Sequence, residues 1–353
     1  MPTFSQTRSP DVPLSSKRDR AARLAERLLL TRLAESCPTP RRLLVLNYHR
    51  LAQNAADECE HDGDVVSAFA DDFSRQVRHL NKRFDVVTLD EAIAIAEGTL
   101  SHRGTAVLLT FDDGYRDCYT IAFPILRAEG APATFFLVSS MVGSTRLPWW
   151  DQIATAIKQS TAANLTLRYP VAVDFSLAGN RLAAIRSTIR LYKSPQTQDS
   201  SRFLLELFER CNVSPPSEST DRLFLDWDEA AEMLAGGMDF GSHTHSHPLL
   251  SKLSFAEQVR ELSLSRALLS DHLKTAIDVL AYPVGSVDAF NRDTHRALAQ
   301  SGYRAAFSYY GGLNVPGQSP RYDLKRVSVD LDLHWPRFRL QTALAPYHRR
   351  LWS

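Results

Sequence analysis

The chain has 353 residues, with 41 lysines and arginines against 40 aspartates and glutamates, and it is 44% hydrophobic and 23% charged. That is ample apolar material for a packed core, and the near-neutral balance argues against a nucleic-acid-binding surface spread over the whole molecule. Its cysteines, Cys37, Cys59, Cys118 and Cys211, are scattered with no C-x-x-C pair, which argues against a disulfide scaffold and against a thiolate zinc site. No run reaches the roughly 18 to 20 apolar residues of a membrane helix. Leu28-Leu29-Leu30 is also too short for the apolar part of a secretion signal, so a cytoplasmic location is expected.

In chain order, residues 1 to 16 read as a flexible leader. A helix is expected from Lys17 to Ser36, with Leu24, Leu28 and Leu29 near one face and Lys17, Arg18, Arg20, Arg23 and Arg27 elsewhere. Two uses suit it, binding to an anionic membrane surface or docking on its own domain, and docking is preferred because solvated charged faces are ordinary. Short apolar runs then alternate with helical patterns in a catalytic domain spanning 41 to 345. Strands are expected at Leu43–Tyr48, Asp85–Leu89, Ala106–Phe111, Ala133–Val138, Met238–Gly241, Ile277–Tyr282 and Arg304–Ser308. Several are apolar almost throughout, as strands buried on both faces of a parallel sheet must be. Phe69, Phe73, Val77 and Leu80 recur at helical spacing, and Thr88 with Glu91, Asp226 with Glu229 and Ser254 with Glu257 form capping boxes. Seven strands alternating with helices fit a doubly wound sheet or an α/β barrel, and the barrel is preferred. From about 149 to 225 the rhythm breaks into helix-like pieces and a polar loop at 213 to 220, with no convincing strand. This reads as a helical insertion on the catalytic face that shapes substrate choice.

Three strand ends deliver ionisable groups. The first is Asp112-Asp113-Gly114-Tyr115. Adjacent carboxylates repel unless a positive group lies close, and a metal ion that ligates one would leave the other free as a base. On its own the pair also reads as an Asp-Gly turn. The second is His243-Thr244-His245-Ser246-His247, in which His243 and His247 have the spacing that lets two imidazoles bind one ion, while His245 points elsewhere and is expected to support the ligands from behind or to be structural. The third is Tyr282-Pro283-Val284-Gly285, where Pro283 and Gly285 would shape a loop over the site. Asp113, His243 and His247 make a two-His, one-carboxylate set with open positions, and Asp112 would accept a proton from water. The chemistry reached from the residues alone is metal-assisted hydrolysis of a carbonyl compound.

Thr110–Tyr115 (TFDDGY), Pro124–Leu137 (PILRAEGAPATFFL), Gly241–Ser254 (GSHTHSHPLLSKLS) and Ala281–Gly285 (AYPVG) together resemble the polysaccharide deacetylases of carbohydrate esterase family four, over about residues 40 to 330. The resemblance implies a distorted (β/α)7 barrel that removes acetyl groups from N-acetylated sugars. It makes Asp112 the base and Asp113, His243 and His247 ligands of a divalent metal, with Zn²⁺ expected. It gives the Tyr115 backbone N–H a share in holding the oxyanion, and it brings Tyr282, Pro283 and Gly285 to the substrate. An arginine that usually orients the base is replaced by Ala281, so another cation, Arg326, is expected in its place. The usual late Leu-x-His is also displaced, since in Leu331-Asp332-Leu333-His334 the histidine comes one place too far. Leu43–Arg50 (LLVLNYHR) resembles the first strand of poly-N-acetylglucosamine deacetylases and their exopolysaccharide-cluster relatives, in which this histidine is the general acid. His49 is therefore expected in that role ahead of His334. Trp149-Trp150-Asp151 resembles the same group, and Trp150 reads either as a platform for a sugar or as core. The expected partner is an N-acetylated glycan, without nucleic acid. An O-acetyl esterase, an amidohydrolase of a non-sugar C–N bond and an inactive carbohydrate-binding relative are the alternatives.

Overall fold

Leu43 to Leu46, Leu108 and Leu109, and Phe135 and Phe136 are without solvent exposure, so the strands that carry them need apolar cover on both faces. A parallel sheet wrapped into a barrel supplies it, with one face inside and the other under helices. The computed structural model describes residues 17–54, 62–215 and 222–347. The leader expected at 1 to 16, Cys59 and the end of the loop expected at 213 to 220 lie outside them.

The strands are β1 (Arg42–Tyr48), β2 (Arg50–Ala52), β3 (Val66–Phe69), β4 (Asp85–Val86), β5 (Thr105–Phe111), β6 (Thr134–Leu137), β7 (Asn164–Leu167), β8 (Val173–Ser176), β9 (Asp239–Ser242), β10 (Val279–Ala281), β11 (Ala305–Phe307) and β12 (Val327–Ser328). The main sheet runs β11-β10-β9-β6-β5-β1-β12, with β4 beside β5. All of its pairings are parallel. Leu324 bridges back to Phe307, and three residues later Val327 pairs with Leu46, so one short stretch joins the two ends of the sheet. This is a distorted seven-stranded (β/α) barrel. β1 and β5 stay in register from Arg42 opposite Thr105 to Tyr48 opposite Phe111, which brings the residues after both strands out at one level.

The strand expected at Asp85–Leu89 stops at Val86, because Thr88 instead caps the helix Leu89–Glu97 in a complete capping box with Glu91. The spacing of Phe73, Val77 and Leu80 matches the buried face of the helix Ala70–Arg83. In the insertion, helices Trp149–Gln159, Arg181–Lys193 and Ser200–Cys211 bury a core of their own around Ile153, Ile157, Ile185, Phe203 and Leu207. The expectation that this segment has no strand is corrected by the antiparallel pair β7 and β8. Only Leu165 and Leu167 turn inward on β7, and a four-residue alternation is too short to show a period.

The expected N-terminal helix is two helices, Lys17–Arg27 and Leu30–Ser36, separated at Leu29, whose φ of 59° is left-handed. They dock on the helix Trp335–Leu344, though not through the leucines. Asp19 lies 3.5 Å from Arg337, and Arg339 pairs with Glu26 at 3.0 Å and with Glu35 at 2.7 Å. The acidic stripe therefore faces inward, while Leu24, Leu28 and Leu29 are more than half exposed. No helix among the described residues is long and apolar enough to cross a membrane.

Candidate active site

Asp112 and Asp113 follow β5 at the carboxyl end of the barrel. The Asp112 N–H still donates to Tyr48 O (3.0 Å), and the chain then turns through Asp113 (φ 71°) and Gly114 (φ 81°). A Cβ on Gly114 would meet Leu137 Cδ2 at 2.6 Å, so only glycine allows so tight a turn against β6. The turn reading and the chemical reading thus hold together: the bend separates two adjacent buried carboxylates and gives each its own partners.

Asp112 meets Arg326, which is wholly buried just before β12. Arg326 Nη1 donates to Asp112 Oδ1 (2.7 Å) and Nη2 to Asp112 Oδ2 (2.8 Å), a two-pronged fork. Asn47 on β1 completes the frame, donating from Nδ2 to Asp112 Oδ2 (3.1 Å) and accepting at Oδ1 from Arg326 Nη1 (2.6 Å). Burial raises the Asp112 pKa, yet the Arg326 guanidinium outweighs it and holds this carboxyl well below the usual carboxylate range. Asp112 is ionised at any working pH.

Asp113 turns to the histidines, with its Oδ1 lying 3.5 Å from His243 Nε2 and 3.4 Å from His247 Nε2. His243 donates from Nδ1 to Ala281 O (2.7 Å), so in the neutral ring the lone pair is on Nε2 and faces the aspartate. Burial pushes the His243 pKa down to about 4, which favours that neutral form. Asp113 feels the same burial in the opposite sense, but contact with His247 leaves its pKa lowered on balance. The carboxylate oxygen between the rings is buried and has no hydrogen-bond partner among the described residues. One donor atom from each of the three residues falls within 4.8 Å of the others. A buried anionic oxygen whose nearest donor, His247 Nε2, stands 3.4 Å away, and which lies beside an imidazole lone pair, fits a divalent cation. His247 needs one adjustment. Its Nδ1 accepts from Trp149 Nε1 (3.3 Å), so the ring proton sits on Nε2, and ligation through Nε2 requires that proton to leave or to cross to Nδ1.

These groups open on a cavity of about 100 Å³ that His49, Trp150 and Tyr282 also line. His49 follows β1 and stands edge-on to Tyr309 at 5.5 Å between ring centroids. His334 stands at the N-terminal boundary of the helix Trp335–Leu344, without a side-chain capping bond, and lines a different cavity with Asp72 and Gln76. His245 bonds Ser139 Oγ through Nδ1 (2.9 Å), away from the ligand set. The Tyr115 phenol points away from the cavity, donating to Asp151 Oδ2 (3.1 Å) and accepting from Trp150 Nε1 (2.7 Å), while its backbone N–H is engaged by no hydrogen bond among the described residues. Trp150 is almost fully buried and lies against the His247 ring (4.4 Å between centroids). Tyr282 donates to Tyr322 O (2.8 Å) and stacks on Phe290. After the buried Pro283, Gly285 lies so close to Tyr309 that an added Cβ would meet Tyr309 Cβ at 2.5 Å. Sequence reading missed Asn47, Tyr309, Asp62 and Lys193, all of which frame the cavity or the Asp112 fork. Asn47 had a signal, as the one amide in an apolar strand, whereas Lys193 comes from the insertion and had none.

A parallel barrel whose strand ends gather a framed aspartate and an Asp-His-His cluster has the groups that metal-assisted hydrolysis of a carbonyl compound needs. The polysaccharide deacetylase family model matches residues 100–306, more than half of the chain, and the protein belongs to that family. YxkH of Bacillus subtilis (strain 168) is 21% identical over 295 residues, which cover 82% of this chain and 72% of YxkH. Among solved structures, the Streptococcus pyogenes deacetylase PplD in complex with acetate is similar at 18% identity and a TM-score of 0.57, covering 87% of this chain and 99% of that one. IcaB from Ammonifex degensii is similar at 21% identity and a TM-score of 0.55, covering 88% and 99%. These likenesses establish the fold.

Proposed function

We propose that this deacetylase removes N-acetyl groups from an N-acetylated sugar of a glycan, using a divalent ion, Zn²⁺ in the first instance, held by Asp113, His243 and His247. The observation that carries the reading is the buried, partnerless Asp113 Oδ1 between two imidazole Nε2 atoms. The chemistry such an ion supplies is polarisation of the acetyl carbonyl and acidification of water.

The chain's own residues do the rest. Asp112 takes the proton of the attacking water. It is a weak base, but Arg326 and Asn47 keep it charged and aimed, so its readiness does not depend on pH near neutrality. The Tyr115 N–H steadies the oxygen that gains negative charge as water adds. The departing nitrogen needs a proton, and His49, which shares the cavity with Asp112, delivers it. Tyr282, Pro283 and Gly285 wall the loop side of the substrate. Trp150 supports the His247 ring, and the insertion around it selects the glycan.

Metal analysis paired with acetate release from a panel of N-acetylated sugars tests this. His243→Ala and His247→Ala are each expected to lose tight stoichiometric metal and turnover together; a variant that keeps its full metal overturns the ligand set. The general acid has a separate signature. His49→Ala should lose about 10²- to 10⁴-fold on an amide substrate and far less on an activated ester, whose leaving group needs little protonation. His334→Ala should leave both rates near wild type. Full amide turnover by His49→Ala excludes it as the acid, and an esterase preference in the wild type would favour an O-acetyl substrate.

A further inference from the structure

The N-terminal helices carry a surface that the deacetylase reading leaves unused. Leu24 (57% exposed), Leu28 (59%), Leu29 (56%), Leu30 (51%) and Leu33 (66%) stand in solvent within ten residues. Isolated exposed leucines need no explanation, but five within ten residues, on two short helices and the turn between them, concentrate apolar surface in one ridge of the chain. On the helix Lys17–Arg27, spacings of three and four place Arg20, Arg23 and Arg27 on the same outward side as Leu24, and all three arginines are exposed. The acids of the segment are not available to balance them. Asp19, Glu26 and Glu35 are turned against Arg337 and Arg339 of the helix Trp335–Leu344, and those ion pairs hold the ridge outward.

We propose that this leucine ridge with its arginine border seats the protein on an anionic lipid surface, with the helices lying in the plane of the interface. Apolar side chains flanked by cations match a partner that is negative at its surface and apolar just beneath, which describes acidic headgroups over acyl chains. A second copy of the chain fits poorly, because a two-fold contact through this face would set the arginine border against itself with its own acids already engaged. The binding is peripheral, since neither helix is long enough to span a bilayer.

The test is co-sedimentation of the full chain with vesicles of equal parts phosphatidylglycerol and phosphatidylcholine, against vesicles of phosphatidylcholine alone. The expected result is retention on the anionic vesicles only, weakened by salt. Removing the charges in the triple variant Arg20→Gln, Arg23→Gln, Arg27→Gln should lower the partition coefficient by about fivefold per arginine, roughly a hundredfold in all. The triple variant Leu24→Ser, Leu28→Ser, Leu33→Ser should lose retention by a similar or larger factor. Both variants leave the inward ion pairs untouched, so thermal melting and acetate release should match wild type, and a drop in either identifies unfolding. For a leucine variant that melts early, the salt dependence of the wild type and the arginine variant still decide the matter. No retention on anionic vesicles overturns the proposal, as does retention that both variants leave unchanged. A wild-type dimer that the leucine variant converts to monomer, with no vesicle binding, overturns it in favour of a second copy.

Discussion

Replacing Arg326 by methionine is expected to destabilise the protein by about 3 to 5 kcal/mol at neutral pH, as for other buried pairs that lose one partner. The reason is not the loss of an attraction alone. Asp112 stays buried against Asn47, and without the guanidinium it is either a lone charge in the interior or a carboxylic acid that must take up a proton. Total stability of a domain is of order 5 to 15 kcal/mol, so the loss is a large part of it. Its pH dependence has a definite sign. The folded-state pKa of Asp112 is depressed, so the pair's contribution is complete above the unfolded value of about 3.9. It is lost as pH falls through that value toward the folded one. The variant loses the largest influence opposing burial, which moves the Asp112 pKa upward, so the two proteins should differ most in neutral solution and converge in acid. Urea unfolding at neutral pH and below pH ~4 measures this. Arg326→Lys should recover only part of the stability, because an ammonium keeps the charge but cannot form the fork to both oxygens. A methionine variant as stable as wild type at neutral pH would mean that Asp112 finds another counter-charge.

Asp112→Asn is the second large effect and leaves a different signature. The amide fills the same space but leaves the buried Arg326 guanidinium without its carboxylate, so a stability loss of about 3 to 5 kcal/mol is expected, offset in part by the bonds Arg326 keeps to Asn47 Oδ1 and Ser308 O. Asp113, His243 and His247 are untouched, so metal content should stay at the wild-type level. Turnover should fall by about 10²- to 10⁴-fold, the usual share of a positioned general base. Metal stoichiometry and acetate release measured on the same sample separate this outcome from that of the histidine variants. Loss of metal from Asp112→Asn would mean that both aspartates serve the ion.

Much of this site was legible because its groups are contiguous in the chain. Asp112 with Asp113, and His243 with His247, each follow an apolar run, so the strand pattern alone places them at one end of a parallel barrel. Arg326 was reached only through a vacancy, the alanine at position 281 where an arginine belongs. Nothing local marks it, because β12 is two residues long and its partner lies far back in the chain. The N-terminal helices show a different limit. Periodicity located the leucine face and, by the rule that apolar faces dock, pointed it inward. The rule failed because the docking surface on Trp335–Leu344 is itself cationic and selects the acidic face. An amphipathic pattern says which faces differ, and the counter-surface decides which one is buried.

The Asp112–Arg326 fork spans 214 residues of chain. On the ribosome, at about 5 to 20 residues per second, Asp112 waits roughly 10 to 40 s for its cation to be made. During that time the nascent barrel cannot close around the carboxylate without either protonating it or leaving it open to water. The segment matched by the family model, 100–306, holds neither Asn47 nor Arg326, so as an isolated fragment it would carry the proposed metal ligands without the residues that frame Asp112. Premature termination or a proteolytic cut before residue 326 would therefore leave a species with an unclosed barrel and exposed strand edges. Such a species is a client for chaperones and proteases, and no slower version of the enzyme.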